Sequence, residues 1–168
     1  MGRNPANDHS KDLFMTGEDS LVMLQFLRRG GAVRMLLKKE VSVELETLFR
    51  YARQLSNAGD YGAAVNILRI LTAYDDWSFD YWYQLGATCH SAHAWSDALY
   101  AYGRAAKINV SAAQVPCAAG ACFLACGEKA LARKAFKATL LICGENRSLQ
   151  AIRRQAEQGL SRTGESDG

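Results

Sequence analysis

WYQLGATCHSAHAWSDALYAYGRAA, residues 82–106, decides the fold. Its apolar residues recur at helical spacing in two bursts, Trp82, Leu85 and Cys89, then Ala98, Tyr102 and Ala105, which is the signature of two helices separated by a break. Shifting the sequence by 34 residues in either direction brings small residues onto small and large onto large. Ala64, Ala98 and Ala132 coincide, as do Leu68, Tyr102 and Phe136; so do Leu55, Cys89 and Phe123, and Ala52, Gly86 and Gly120. Leu48, Trp82 and Pro116 share a register as well. The repeating unit is therefore a pair of antiparallel helices, and stacked units share a continuous core. The small positions mark close backbone crossings, where a bulky side chain would force the helices apart.

The same register puts Gly59, His93 and Gly127 at the break between the helices. A residue that ends a helix is commonly left-handed, a conformation that costs glycine nothing and that histidine tolerates better than a β-branched residue. Positive φ is predicted at all three. Pro116, in the third unit, fits the first turn of a helix, where no hydrogen-bond donor is lost.

Outside the repeats, SLQAIRRQAEQGLSR places Leu149, Ile152, Ala156 and Leu160 on one stripe, with Arg153, Arg154, Glu157 and Gln158 mostly off it. This reads as a capping helix over 147–162, followed by a disordered tail at 163–168. Ahead of the repeats, residues 1–16 are expected to be disordered. Residues 17–44 form an N-terminal helical segment in which Leu21, Leu24 and Leu27 make a short stripe and Gly30-Gly31 stop the helix after Arg28 and Arg29. A phosphate cradle is not the reading of those glycines, because no strand precedes them and AVRMLL follows.

Composition bounds the function. With 168 residues, 49% of them hydrophobic and 22% charged, the chain can bury a core. A net charge of +3 is too small to argue for nucleic acid. The opening lacks the apolar core of a secretory signal, and Ala6 stands where a myristoylation signal requires Ser or Thr. Five cysteines, an odd number, then read as free thiols of a reducing cytoplasm. The uncharged stretch INVSAAQVPCAAGACFLACG, residues 108–127, is interrupted by Asn109, Gln114 and Pro116 and is too poor in large apolar residues for a membrane span. Neither Cys89, His90 and His93 nor Cys122 and Cys126 has the paired spacing of a zinc site. No nucleophile has a base and an orienting partner. Asp75, Asp76 and Asp80 sit where acids favour a helix N-terminus. No cofactor, metal or catalytic residue is expected.

Trp82, Leu85, Gly86, Ala98, Tyr102 and Ala105 carry a pattern that resembles the tetratricopeptide repeat, with repeat one near 45–78 and repeat three near 113–146. The fold expected is all-α, a right-handed superhelix of three such repeats over 45–146 with an N-terminal helix and a C-terminal cap. The ordered combination of GGAVRML, three repeats joined by LTAYDDWSFDYWYQLG, and a terminal cap is more specific. From Leu21 to about Leu160 it resembles the class II chaperones of bacterial type III secretion, which bind pore-forming translocators before export. YDDWSFDYWYQLG and DALYAYGRAAKI make it more similar to those serving the large hydrophobic translocator.

The resemblance implies a non-enzymatic cytoplasmic protein that holds an extended translocator segment in a concave groove lined by the first helix of each repeat. Counting helical positions assigns Phe49, Arg53 and Ser56 to that groove from repeat one, Tyr83, Ala87 and His90 from repeat two, and Cys117, Ala121 and Leu124 from repeat three. Phe49 and Tyr83 match aromatic positions of the family's groove, whereas Arg53 and Ser56 stand where some relatives carry aromatics. Gln84, Gln114 and His90 are candidate hydrogen-bond partners for the bound backbone. The residues of another tetratricopeptide class that clamp a C-terminal carboxylate are replaced here by Phe49, Arg53, Gln84, Gln114 and Ala118. The Leu21, Leu24, Leu27, Arg28 and Arg29 surface is the candidate for a homodimer or a second partner. The rival reading is a scaffold or co-regulator that binds a folded partner, such as a transcriptional activator, over the convex side.

Overall fold

A computed structural model describes the single position Gln25 and residues 39–164, with side chains from Glu44 onward. The expected N-terminal disorder, the Gly30-Gly31 stop and the Leu21, Leu24, Leu27, Arg28, Arg29 surface lie outside the described residues, as does the tail beyond Gly164. The described residues are all-helical. Three helix pairs follow in order: α1 (Lys39–Asn57) and α2 (Tyr61–Tyr74), α3 (Phe79–Ser91) and α4 (Trp95–Ile108), and α5 (Gln114–Ala125) and α6 (Lys129–Cys143). A 3-10 turn at Arg147–Leu149 leads into α7 (Gln150–Arg162). Helix α1 begins at Lys39, ahead of the repeat boundary read from the sequence at Leu45.

Each pair closes with the same turn. Gly59, His93 and Gly127 have φ of 87°, 59° and 81°. In each case the left-handed residue donates to the carbonyl three residues back, Gly59 to Ser56, His93 to His90 and Gly127 to Leu124. The next residue donates five back, Asp60 to Leu55, Ala94 to Cys89 and Glu128 to Phe123. This pair of bonds satisfies carbonyls that the helix end leaves orphaned. Only Asp60 adds a side-chain cap to the helix that follows, accepting from Ala63 N at 3.2 Å.

Packing within pairs is by size matching. A methyl group built on Gly86 would lie 2.6 Å from the Tyr102 ring, and one on Gly120 would lie 2.7 Å from the Phe136 ring. Repeat one fills the equivalent crossing with Ala52 and Leu68, both fully buried. The larger partner in repeats two and three thus requires the smaller one. Trp82 closes the outer side of α3: its indole N–H donates to the Asp76 carbonyl at 2.9 Å, and the Arg104 guanidinium lies 5.2 Å over its ring while pairing with the Asp76 carboxylate.

The helices stack so that α1, α3, α5 and α7 each touch the next of that set, while pairs of second helices have no comparable contact. The first helices therefore form the tighter, inner side of the curve. Helix α7 takes the place that a fourth first helix would occupy: Ala156 and Gly159 are buried, and the Phe136 ring of α6 packs where any side chain at Gly159 would stand. The uncharged stretch 108–127 is split between the end of α4, a loop and α5. Among the described residues no helix is long and apolar enough to cross a membrane.

Candidate functional site

The residues assigned to the inner face lie on α1, α3 and α5. On α1, Phe49 is half-buried against Tyr81 of α3, with ring centroids 5.0 Å apart. Arg53, one turn on, is exposed and holds its guanidinium 6.0 Å from the Phe49 ring. Ser56 is half-buried, and its hydroxyl accepts from Thr88 at 3.1 Å. This ties α1 to α3.

On α3, Tyr83 is half-buried, stacked at 5.7 Å on Phe79 and tilted at 5.8 Å against Tyr102. Burial, and then the Cys117 thiol, push its phenol above the usual range. The phenol is therefore neutral at physiological pH and available as a donor. Ala87 follows it, leaving a gap in the wall, and His90 ends the helix. The His90 ring meets Trp95 edge-on at 5.3 Å, and its Nδ1 lies 3.3 Å from the Cys122 sulfur. Burial, and then His93, lower its affinity for a proton.

On α5, Ala121 and Leu124 are half-buried and line a cavity of about 290 Å³ between α5 and α7. Cys117 stands beside them but is buried, its sulfur 4.0 Å from Oε1 of Gln155. Its thiol is raised by burial and then by Cys143. Cys117 thus acts as the floor of the inner face more than as an open contact.

The Gln84 amide donates to Thr88 at 3.4 Å, and Gln114 is the first residue of α5. Two contributions escaped sequence reasoning. Tyr81 supports Phe49 from the neighbouring repeat. Helix α7 supplies Gln155, Gln158 and Arg162 to the same wall as Ala121 and Leu124. Their spacing, three and then four residues apart, marks one helical face, a signal passed over when α7 is read only as a cap. Among the described residues no three metal-ligating side chains gather.

The three stacked helix pairs and the helix that closes them form a tetratricopeptide-like array. The solved structures narrow the architecture further. No family model matches the chain, and no curated protein does. A type III secretion complex from Aeromonas hydrophila superposes with a TM-score of 0.76 at 23% identity, covering 85% of this chain and 95% of that one. The Yersinia enterocolitica type III secretion chaperone SycD, solved with a peptide of the translocator YopD, gives 0.70 at 20% identity, covering 75% and 96%. PcrH, solved with the chaperone-binding region of PopD, gives 0.69 at 23% identity, covering 76% and 93%. SycD has also been solved as an alternative dimer. The chain has the fold of these translocator chaperones.

Proposed function

We propose that this chain is a cytoplasmic chaperone of a bacterial type III secretion system, binding a hydrophobic translocator through its inner groove and keeping it soluble and competent for export. The observation that carries the reading is the groove itself. Phe49 and Tyr83 stand half-exposed along a face on which Ser56, Ala87, Ala121 and Leu124 are small or apolar, with the charge of Arg53 at its α1 end. An extended segment with spaced apolar side chains fits such a face. The shared fold, in which SycD and PcrH are seen with translocator segments, supports it. So does GGAVRML, a feature of that family, while YDDWSFDYWYQLG and DALYAYGRAAKI point to the large translocator as cargo.

The protein acts by binding rather than by catalysis. Covering about 300 Å² of apolar surface contributes about 7.5 kcal/mol at roughly 25 cal/mol per Å². Ordering the segment costs about 2–5 kcal/mol, before the loss of overall motion. A modest net affinity suits a chaperone that must release its cargo. Replacing Phe49 and Tyr83 together by alanine is expected to abolish co-purification of the co-expressed large translocator while helicity is retained. Undiminished co-purification would refute the groove.

The stripe Leu21, Leu24 and Leu27 with Arg28 and Arg29 is the surface proposed for a second subunit or a second partner, and the solution mass of a chain lacking residues 1–29 separates the two. A second reading, a scaffold that binds a folded partner such as a transcriptional activator over the convex side, is favoured by one feature. A trough of about 430 Å³ runs between α4 and α6 over α5, lined by Leu99, Ala106, Val110, Phe123 and Ile142. Mass spectrometry of what co-purifies separates the two: a secreted membrane-active protein supports the chaperone, a stable folded regulator the scaffold.

A further inference from the structure

The inner face does not end at α5. Beyond Leu124 the wall is continued by α7, and the cavity of about 290 Å³ between the two helices is floored by Phe136 and walled on its far side by Gln155, Gln158 and Arg162. No acidic side chain lines it. The Gln155 carbonyl oxygen is turned to the Cys117 thiol. That leaves the Gln155 amide N–H groups to face another acceptor. Arg162 is exposed, in the last turn of α7, and Arg53 is exposed at the opposite end of the face on α1. One exposed arginine thus stands at each end of the face, that on α1 sharing its helical stripe with Glu46.

We propose that the cavity between α5 and α7 is a subsite for an acidic side chain that flanks the apolar segment of the bound peptide. Its methylene stem lies over Phe136 and Leu124, and its carboxylate is held by Arg162 and the Gln155 amide. The chemistry follows from the lining. A guanidinium and an amide donor over an apolar floor match a side chain with an apolar stem and an anionic head. A neutral apolar side chain would gain nothing from these exposed donors, which water already satisfies. The subsite sets the register of the peptide, because it fixes one acidic side chain at the α7 end of the face. The inference rests on the groove reading above.

The test uses the full chain and fluorescently labelled peptides that tile the N-terminal half of a large type III translocator from the same genome. Tiles that bind are remade with each acidic residue replaced by its amide. Arg162→Ala is expected to weaken acid-flanked tiles about threefold to tenfold. Arg162→Lys should restore part of the loss, and the amide tile should be insensitive to both. If Arg162→Ala leaves every acidic tile at its wild-type affinity, or if the tightest tiles carry no acid outside their apolar segment, the subsite is wrong and the groove stands. If no tile binds the wild-type chain, the translocator reading fails and the subsite falls with it. A thermal melt of each variant separates folding from recognition, since Arg162 is exposed and lies at the end of the last helix.

Discussion

Gly86→Ala sets two principles against each other at one atom. Intrinsic helix propensity favours alanine in the interior of α3 by about 0.8–1.0 kcal/mol. Packing opposes it: the added methyl would lie 2.6 Å from both Cδ1 and Cε1 of Tyr102 and 3.1 Å from Cγ. Ordinary carbon contacts are about 3.5–4.0 Å, so the ring or the helix must retreat by about 1 Å. Tyr102 is only 2% exposed and leans on Tyr83. The ring has nowhere to go without parting α3 from α4. Overpacking of this kind costs about 1–3 kcal/mol, and the net expectation is a destabilisation of about 1 kcal/mol or somewhat more. For a chain of this size that lowers Tm by about 2–4 °C per kcal/mol. Gly103, in the interior of α4, is the internal control: nothing lies within 4 Å of a methyl built there. Gly103→Ala should therefore raise the melting temperature by the propensity term alone. The pair Ala52 and Leu68 supplies the compensation. Combining Gly86→Ala with Tyr102→Leu recreates the crossing of repeat one, and the double variant should be more stable than the sum of the two single changes by about 1–2 kcal/mol. Thermal and urea unfolding followed by circular dichroism measure all four proteins. A Gly86→Ala variant that melts above wild type, as Gly103→Ala does, or strict additivity in the double variant, would refute the size-matching account.

Other outcomes follow from single features. Gly127→Ala, at φ 81° with open space around it, should cost about 1–2 kcal/mol from backbone strain alone, whereas Gly62→Ala, in α2 and equally open, should not destabilise. His90 takes up a proton less readily folded than unfolded, because of burial and His93. The unfolded chain therefore binds more protons as pH falls below its ordinary value near 6.5. Stability should drop as pH falls through about 6.5, and His90→Gln should flatten that part of the profile; an unchanged slope would remove His90 as its cause. Of the five cysteines only Cys126 is exposed. Burial raises the Cys89 and Cys117 thiols and pushes Cys122 up to about 11. A thiol reagent should accordingly modify one site rapidly in the native protein and all five in denaturant, and rapid loss of several native thiols would contradict the packing.

Much of the fold was legible because it is written at a fixed period. Gly59, His93 and Gly127 announce three identical turns, since a left-handed helix end restricts residue type locally, without reference to the rest of the chain. Even His93, unusual in such a place, falls where the register put it. Ala52, Gly86 and Gly120 were visible as small positions for the same reason. The groove was legible only in outline. Phe49, Tyr83, Ala121 and Leu124 can be assigned to the inner side by counting along helices, yet which of their atoms are covered depends on neighbours far away in sequence. Cys117 is closed off because Gln155 comes against it, and the Ser56 hydroxyl is taken by Thr88.

The sequence by itself determined the helix pairs, their turns and the stacking rule, because periodicity and left-handed breaks are properties of the local chain and repeat every 34 residues. Only the tertiary structure decided that Tyr102 and Phe136 demand glycine where Leu68 accepts alanine. It also decided that the last helix shares a cavity with α5 as well as capping the array, with Arg162 and Leu124 both lining it. Those facts depend on the angle and distance at which one helix crosses another, which no single stretch of sequence encodes.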